Sequence, residues 1–413
     1  MREKDIMEKM QSEVIIPDVV QERAELAFEK IRTKEGKRVV KMRSRKRRWK
    51  TMWIAVAAAV FALGTLTVCA AYLRWSKGLE AGLHATDEQK QLLEEGQYAA
   101  PLDNENSGNG EGGSNSGDSG NSSGINNRDG RGSVTAGGVT ITPQQSIVDR
   151  RFAWLSFQVE GYELEEGKEP CFQDVTVEVE GDKEAILSQG SYFYDGIHRD
   201  EDGRAVYEDG SPAEGEIFVN ADGYMEYIIM VDATQYGENG LIGQNVHVEF
   251  TGLGTVYKAE YFPDLEAVWA FDFTLKGSDE VRALSLSEPL GDSGATVIYA
   301  EISPVSIYVN YDFPMQEEEI EGIGENGEPI TSTTFVEVPP VVGVRLKNGT
   351  LLSYITNGGV EGYLDESHEI YTESYALDRI LDTDQVDALL FKKNSPSGEG
   401  GLTEDDLYIV PIQ

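Results

Sequence analysis

An uncharged stretch of 23 residues, set directly behind a basic cluster, constrains this chain more than any other feature. The cluster, residues 37–50, reads KRVVKMRSRKRRWK and holds nine Lys and Arg residues. Residues 51–73 then read TMWIAVAAAVFALGTLTVCAAYL, without a charge. At about 1.5 Å per residue a helix of that length reaches roughly 34 Å, enough to cross the core of a bilayer. The sequence therefore predicts one transmembrane helix at residues 51–73.

The basic cluster also orients this predicted span. Lys and Arg collect on the cytoplasmic side of membrane proteins, and beyond the span only Arg74 and Lys77 follow closely. We therefore expect a single-pass protein of the cell membrane, with residues 1–50 in the cytoplasm and everything after Leu73 outside. A cleaved signal peptide is the alternative, but its basic leader is short and its apolar core has about 7–15 residues. Here fifty residues precede the apolar stretch.

The charge of the chain divides at the same boundary. Residues 1–50 carry 16 Lys and Arg against 9 Asp and Glu, a net charge of +7. Residues 74–413 carry 19 against 64, a net charge of −45. The outer part lacks the clustered basic charge that nucleic acid needs, so no nucleic-acid partner is expected. The lipid bilayer is instead the expected partner of the basic cluster.

The inner part contains one amphipathic segment. Pro17 and Asp18 are a helix start signal, and Gly36 is a stop signal. Between them apolar residues recur at helical spacing: Val20, Ala24, Ala27, Phe28 and Ile31. So short a segment cannot bury this inner stripe in a core of its own. It packs on a partner, lies on the membrane, or is helical only transiently, and the first of these is the favoured interpretation.

Residues 74–133 are expected to form a short helix followed by a flexible linker. Thr86 and Gln89 have the spacing of a capping box, which predicts a short helix within residues 86–97. In residues 103–133, Gly, Ser and Asn make up 23 of the 31 positions. A coil of that composition spans roughly 30 Å. The sequence therefore predicts a tether that holds the outer domains off the membrane.

The remaining residues, 134–413, follow the pattern of a mainly β protein. Apolar and polar positions alternate, as at Leu155, Phe157 and Val159, which predicts antiparallel strands buried on one face only. Turn signals such as Asn348-Gly349 separate the runs. That dipeptide predicts a hairpin with a type I′ turn.

The length of this region indicates two domains. Its 280 residues exceed one typical β-sandwich, so we expect two immunoglobulin-like sandwiches, at residues 134–263 and 264–413. The break is placed near residues 262–265, which include Pro263, because Trp269 and the alternating aromatic residues after it look like a fresh strand. An acidic insertion, residues 316–334, is expected to be an exposed hairpin or loop.

Little in the sequence points to catalysis. The four His residues belong to no HxH or HExxH pattern, and no CxxC pair is present. We therefore expect no enzyme, no catalytic residue and no cofactor.

One acidic loop, residues 195–215, is the weak candidate for a metal site. It carries four aspartates, Asp195, Asp200, Asp202 and Asp209. Calcium needs several oxygen ligands, but the order of an EF-hand loop and its final glutamate are missing. The loop is expected to form acidic turns that join strands, with a weak Ca²⁺ site as the alternative.

Several segments together resemble a known family. On the inner side they are IPDVVQERAELAFEKI and KRRWKTMWIAVAAA. On the outer side they are TDEQKQLLEEG, SVTAGGVTITPQQSIVDRRFAWLSFQVEGYEL, WAFDFTLKGSDEV and GATVIYAEISPVSIYVNYDF. The chain resembles the single-pass membrane family of Gram-positive bacteria that carries a domain of unknown function, numbered four-one-seven-nine, followed by an immunoglobulin-like domain.

This resemblance implies an anti-sigma-factor-like regulator. Members of the family are often encoded beside extracytoplasmic-function sigma factors, so the inner stripe would bind such a factor while the outer domains sense an unknown envelope ligand. The alternative is a cell-surface binding or adhesion module, held by an uncleaved signal anchor and without a signalling role. The family has no catalytic residues to carry over.

Overall fold

In the computed structural model, the part of the chain that can be described is mainly β. It comprises residues 75–104, 124–126, 132–186, 189–199, 204–323, 329–393 and 402–412. All of these belong to one compact unit, Thr65–Gln413. The predicted span and the inner stripe lie outside the described residues. Within the described ranges, no helix is both long and apolar enough to cross a bilayer.

Two short helices come first. Helix α1 is Lys77–Gly82 and helix α2 is Asp87–Glu95. Thr86 caps α2 with a capping box: its hydroxyl accepts a hydrogen bond from Gln89 N, and Gln89 Oε1 accepts one from Thr86 N at 2.9 Å. The helix that the sequence predicts here is therefore confirmed.

Strands β1 to β13 make up the first β unit. They are Ala99–Pro101, Gly124–Asn126, Ser133–Ala136, Val139–Val148, Phe152–Glu160, Glu169–Val179, Asp182–Ile186, Gln189–Phe193, His198–Arg199, Ala205–Val206, Tyr224–Asp232, Asn245–Tyr257 and Glu260–Thr274. One sheet has the order β2-β3-β4-β5-β11-β8, with β1 also paired to β4, and the other has the order β13-β12-β6-β7. Both sheets face one apolar core, where Phe157 of the first sheet packs against Phe250 and Phe271 of the second.

Strands β14 to β24 make up the second β unit. They are Arg282–Pro289, Thr296–Ile302, Ser306–Asp312, Glu317–Ile323, Pro329–Phe335, Val341–Leu346, Leu351–Ser353, Thr356–Tyr363, Ile370–Leu377, Val386–Lys392 and Leu407–Pro411. One sheet has the order β14-β15-β16-β22-β21 and the other has the order β20-β19-β23-β24. Tyr311 and Phe391 meet in the core between them, with ring centroids 5.9 Å apart. Strands β17 and β18 pair as a separate hairpin, which confirms the hairpin expected in the acidic insertion.

The two β units share one strand order. Eight strands in each, numbered along the chain, lie in the order 1-2-6-5 in one sheet and 4-3-7-8 in the other. These eight are β4 to β8 and β11 to β13 in the first unit, and β15, β16 and β19 to β24 in the second. In each unit an extra strand also directly precedes strand 1 and pairs with it, namely β3 and β14. The inserted hairpins differ, because β9–β10 lies between strands 5 and 6 and β17–β18 between strands 2 and 3.

The expected break between the domains is wrong. Strand β13 runs through residues 262–265 without interruption, and its Trp269 and Phe271 are fully buried in the core of the first unit. Pro263 suggested a boundary, but β13 is an edge strand, and an edge strand tolerates a residue without an N–H. The boundary lies between the end of β13 at Thr274 and the start of β14 at Arg282.

The expected tether is also wrong. Strand β1 pairs with β4, so the chain has already entered the first β unit before the Gly/Ser/Asn-rich stretch begins. At the two ends of that stretch, Asn104 Nδ2 donates to Gly132 O at 3.1 Å. A segment whose ends meet within one fold cannot set the distance between that fold and the membrane. It is an insertion in the first unit.

The segment from α1 to β1 lies between the two β units in a shared apolar cluster, the interface core. Its residues are Leu79, Leu83, Ala85, Leu93, Tyr98, Ile147, Phe152, Trp154, Ile228, Val305, Ala376 and Ile380. Burial on one face, as expected, holds for strands such as β6 and β13, but this packing corrects the expectation for β5. On β5 the inward residue Leu155 and the outward residue Trp154 are 0% and 3% exposed, because the interface core covers the second face.

The predicted hairpin of strands β19 and β20 is present, but its turn is not of type I′. Type I′ requires a positive φ at both central residues. Gly349 has a φ of 88° and its N donates to Leu346 O at 2.8 Å, whereas Asn348 keeps a negative φ. The loop is therefore a type I turn followed by one left-handed glycine, the usual form of a three-residue hairpin loop.

Shortening a side chain in the interface core tests whether it stabilises the outer part. Leu93 is 0% exposed there, so Leu93→Ala should lower the free energy of unfolding by about 2–5 kcal/mol in a denaturant titration. Leu364 is 58% exposed, and Leu364→Ala is the matched control, with an expected change within about 0.5 kcal/mol. Equal effects of the two substitutions would contradict the assigned packing.

Candidate functional site

A cavity of about 240 Å³ lies where helix α1 meets the first β unit. Its lining includes Lys77 of α1, Tyr224 and Glu226 of strand β11, and residues of the connection between β8 and β11. That connection contains the acidic loop, residues 195–215. The cavity therefore brings together the helix nearest to the predicted span and the most irregular part of the first β unit.

Glu226 fixes the beginning of helix α1 beside the cavity. It is 6% exposed, and its Oε2 accepts hydrogen bonds from Ser76 Oγ at 2.7 Å and from Gly78 N at 2.9 Å. Ser76 is the N-cap of α1, so both bonds bind the first turn of the helix to strand β11. A carboxylate this buried is tolerated because hydrogen-bond donors surround it.

Lys77 and Glu208 form an ion pair across the same cavity. Their hydrogen bond raises the pKa of Lys77 and lowers the pKa of Glu208. The two side chains remain 41% and 66% exposed, and pairs this exposed contribute about 0.2–1 kcal/mol. The pair is thus a weak connection between α1 and the acidic loop, in contrast to the buried Glu226.

Aromatic rings supply much of the remaining lining. They are Tyr194, Tyr207, Phe218 and Tyr224. Tyr194 Oη lies 2.7 Å from Nε2 of His198, and burial raises the pKa of Tyr194 and lowers the pKa of His198, so both are neutral at neutral pH. Tyr207 Oη accepts hydrogen bonds from Glu214 N and Gly215 N, which fixes its ring against the loop. Aromatic walls with a few placed carboxylates are typical of a binding site.

The candidate metal ligands form turns where they are described. Asp195 Oδ1 accepts from Ile197 N at 3.0 Å, and Asp209 Oδ1 accepts from Ser211 N at 2.9 Å. Asp200 and Asp202 lie outside the described residues. Among the residues with described placement, no three His, Cys, Asp or Glu side chains group in a way that could hold a metal ion. The acidic turns that the sequence predicts are thus present at Asp195 and Asp209.

Polar contacts join the two β units next to the interface core. Asp149, between β4 and β5, is 0% exposed and accepts hydrogen bonds from the hydroxyls of Ser303 and Ser306 in the second unit. Arg151 of the same turn donates to Glu301 Oε2 at 2.6 and 2.9 Å through its Nη2 and Nε. Each of these carboxylates is bonded to a residue of the other unit. Separating the units would therefore leave both carboxylates without these partners, which is costly.

A further carboxyl is enclosed within the second unit. Glu373 is 0% exposed, and its Oε2 accepts hydrogen bonds from Tyr311 Oη at 2.5 Å and from Val341 N at 2.8 Å. Its Oε1 is buried and has no hydrogen-bond partner among the described residues. Burial raises the pKa of Glu373 from its ordinary value of 4.5 to about 7.

Sequence reasoning missed these internal carboxylates, although each leaves a signal. Glu226, Glu301 and Glu373 are the single charged residues in the strand stretches YMEYIIMV, TVIYAEI and IYTESYAL. A charge at such a position is tolerated only when partners surround it, so the pattern marks a buried contact. The pattern does not show which residue the buried carboxylate bonds to.

Comparisons with known proteins add little to this geometry. No protein-family model matches the chain, and no curated protein matches it. One similar solved structure is described as "The crystal structure of the conserved domain protein from Bacillus anthracis". It shares 12% sequence identity with this chain over 70% of this chain and 84% of that one, with a TM-score of 0.34. A likeness at that TM-score carries no argument, and the family resemblance stays an expectation from the sequence.

The buried carboxyl predicts a pH dependence of stability. Because the pKa of Glu373 is higher in the folded chain, its contribution is fully present below pH 4.5 and is lost as the pH rises to about 7. The loss should be on the order of 3 kcal/mol. Glu373→Gln, which stays neutral, should remove that slope when unfolding curves at pH 4.5, 6 and 7.5 are compared with those of the wild type. If the free energy of unfolding changed with pH equally in the variant and in the wild type, the assignment would be ruled out.

Proposed function

We propose that this chain is an anti-sigma-factor-like regulator that crosses the membrane once. Its inner stripe binds an extracytoplasmic-function sigma factor, and its outer part senses the envelope. One observation carries the proposal: the residues that directly follow the predicted span are packed between both β units. An outer part that only needed an anchor would not require its anchor segment in the centre of the fold.

The contacts of this segment support coupling to both β units. Ser76 is bonded to Glu226 of the first unit, only three residues after the end of the predicted span. His84 Nδ1 lies 2.8 Å from Asp378 O, and Gln89 Nε2 donates to Ile380 O at 2.7 Å, both in the second unit. Any change in the packing of the two units therefore acts on the residues that directly follow the predicted span. That is the geometry a sensor of envelope state needs.

We also propose that both β units are immunoglobulin-like sandwiches. The order 1-2-6-5 in one sheet and 4-3-7-8 in the other corresponds to the ABED and C′CFG sheets of that architecture. Such modules commonly serve as binding or spacing elements outside the cell, which agrees with a sensing role but does not name a ligand.

The inner end of the proposal is tested with the full chain in detergent micelles. An amphipathic helix binds a groove through its apolar face. Phe28→Asp combined with Ile31→Asp should therefore abolish pull-down of the extracytoplasmic-function sigma factor that is the proposed partner. The control, Glu22→Ala with Glu29→Ala on the polar face, should leave it intact. Undiminished pull-down by the double aspartate variant would exclude the stripe as the binding surface.

A surface-binding role without signalling is the second candidate, and the hairpin between β12 and β13 favours it. Near its turn, Tyr257 and Phe262 are 51% and 41% exposed. Lys258 and Ala259 between the strands both have positive φ, 52° and 63°, as a type I′ turn requires, and residues other than glycine adopt that conformation at an energetic cost. The two roles separate in cells: deletion of residues 2–35 should change transcription of the sigma regulon under the first role and leave it unchanged under the second.

A further inference from the structure

We propose that the cavity beside helix α1 binds an organic ammonium group, which takes the place of the Lys77 ammonium on Glu208. The inference rests on the proposed sensing role for its biological meaning, since it names the class of ligand that the outer part would detect. Its physical basis is separate and consists of the charge, the rings and the ion pair of the cavity.

The charge of the lining favours a cation. Among the described residues that line the cavity, Lys77 is the one basic side chain, against the three carboxylates Glu208, Asp222 and Glu226. The surrounding outer part carries a net charge of −45, so the long-range field also attracts cations and repels anions. An anionic ligand would have to overcome both effects.

The rings of the lining favour an organic cation over an inorganic one. Tyr194, Tyr207, Phe218 and Tyr224 line the cavity, and the negative face of an aromatic ring attracts ammonium groups. A volume of about 240 Å³ lies below the range typical of drug-sized ligands, so the cavity suits a single small head group. A bare metal ion would gain little from these rings and prefers oxygen ligands that converge on one point.

The chain itself already places an ammonium in this cavity. Lys77 Nζ pairs with Glu208 and lies 4.0 Å from Glu80 Oε2. Because the Lys77–Glu208 pair is exposed, a competing ammonium has only about 0.2–1 kcal/mol to overcome. Helix α1 remains bound through Ser76 and Glu226 when Lys77 leaves, so exchange changes the charge at the start of α1 without unfolding it.

The test measures choline binding to the full chain in maltoside micelles by calorimetry. Choline should bind, and its neutral isostere 3,3-dimethylbutan-1-ol should not. Lys77→Met removes the internal competitor and should tighten choline binding roughly 1.5- to 5-fold, the equivalent of the ion-pair energy. Glu208→Gln should weaken it.

A matched control separates this site from general electrostatics. Lys168 is also an exposed lysine paired with a glutamate, Glu165, at 2.7 Å, and it does not line the cavity. Lys168→Met makes the same change in net charge and should leave choline affinity unaltered. Equal tightening by both variants, equal binding of the neutral alcohol, or no choline binding at millimolar concentration would each overturn the proposal.

Two further measurements assign the source of the ligand and keep this proposal distinct from the regulator role. In nanodiscs, weaker choline binding with phosphatidylethanolamine than with an uncharged glycolipid would identify a lipid head group as the competing ammonium, and equal binding would exclude the lipid and leave a soluble amine as the source. The sigma-factor pull-down does not involve the cavity. Choline binding without pull-down would therefore overturn only the regulator role, and pull-down without choline binding only the ligand.

Discussion

The rest of the outer structure depends on the burial of one short segment, from helix α1 to strand β1, between two β units. Leu79, Leu83 and Leu93 are almost completely buried there, in one apolar cluster with residues of both units. Without this segment Trp154 and Val305 would face water, and the contacts around Asp149 and Glu301 would lose the apolar packing beside them. The hydrophobic effect thus joins the two units by way of the chain that leads from the predicted span.

The same arrangement explains why the cavity lies where it does. Strand β11 contributes Ile228 to the interface core and Glu226 to the cavity, two residues apart on the same face of the strand. One face of one strand therefore contacts the apolar side of α1 at one end and its capped first turn at the other. A ligand beside Glu226 and the packing of the two units act on the same helix.

The sequence predicted those features that depend on local pattern. Period-two alternation indicated strands, the Thr86–Gln89 spacing indicated helix α2, and the acidic insertion indicated a hairpin, all of which the structure contains. The failures concern long-range packing. The domain break near Pro263 was predicted wrongly, because a proline interrupts a central strand but not an edge strand. Only the sheet order decides which kind of strand this is. The cavity could likewise not be predicted, since Lys77, Glu208 and Glu226 are far apart in the sequence and come together only after folding.

The hydrogen bond between Asn104 and Gly132 has a mechanical consequence. All covalent continuity between the predicted anchor and the β units from β3 onward passes through the Gly/Ser/Asn-rich insertion that this bond closes. Its length can change without moving either end. If the backbone were cut inside it, the two pieces would still be joined by the strand pairing of β1, by the interface core and by hydrogen bonds such as those of Ser76 and Gly78 to Glu226. A pulling force along the chain would then be borne entirely by packing and hydrogen bonds, which yield at far lower loads than a peptide bond.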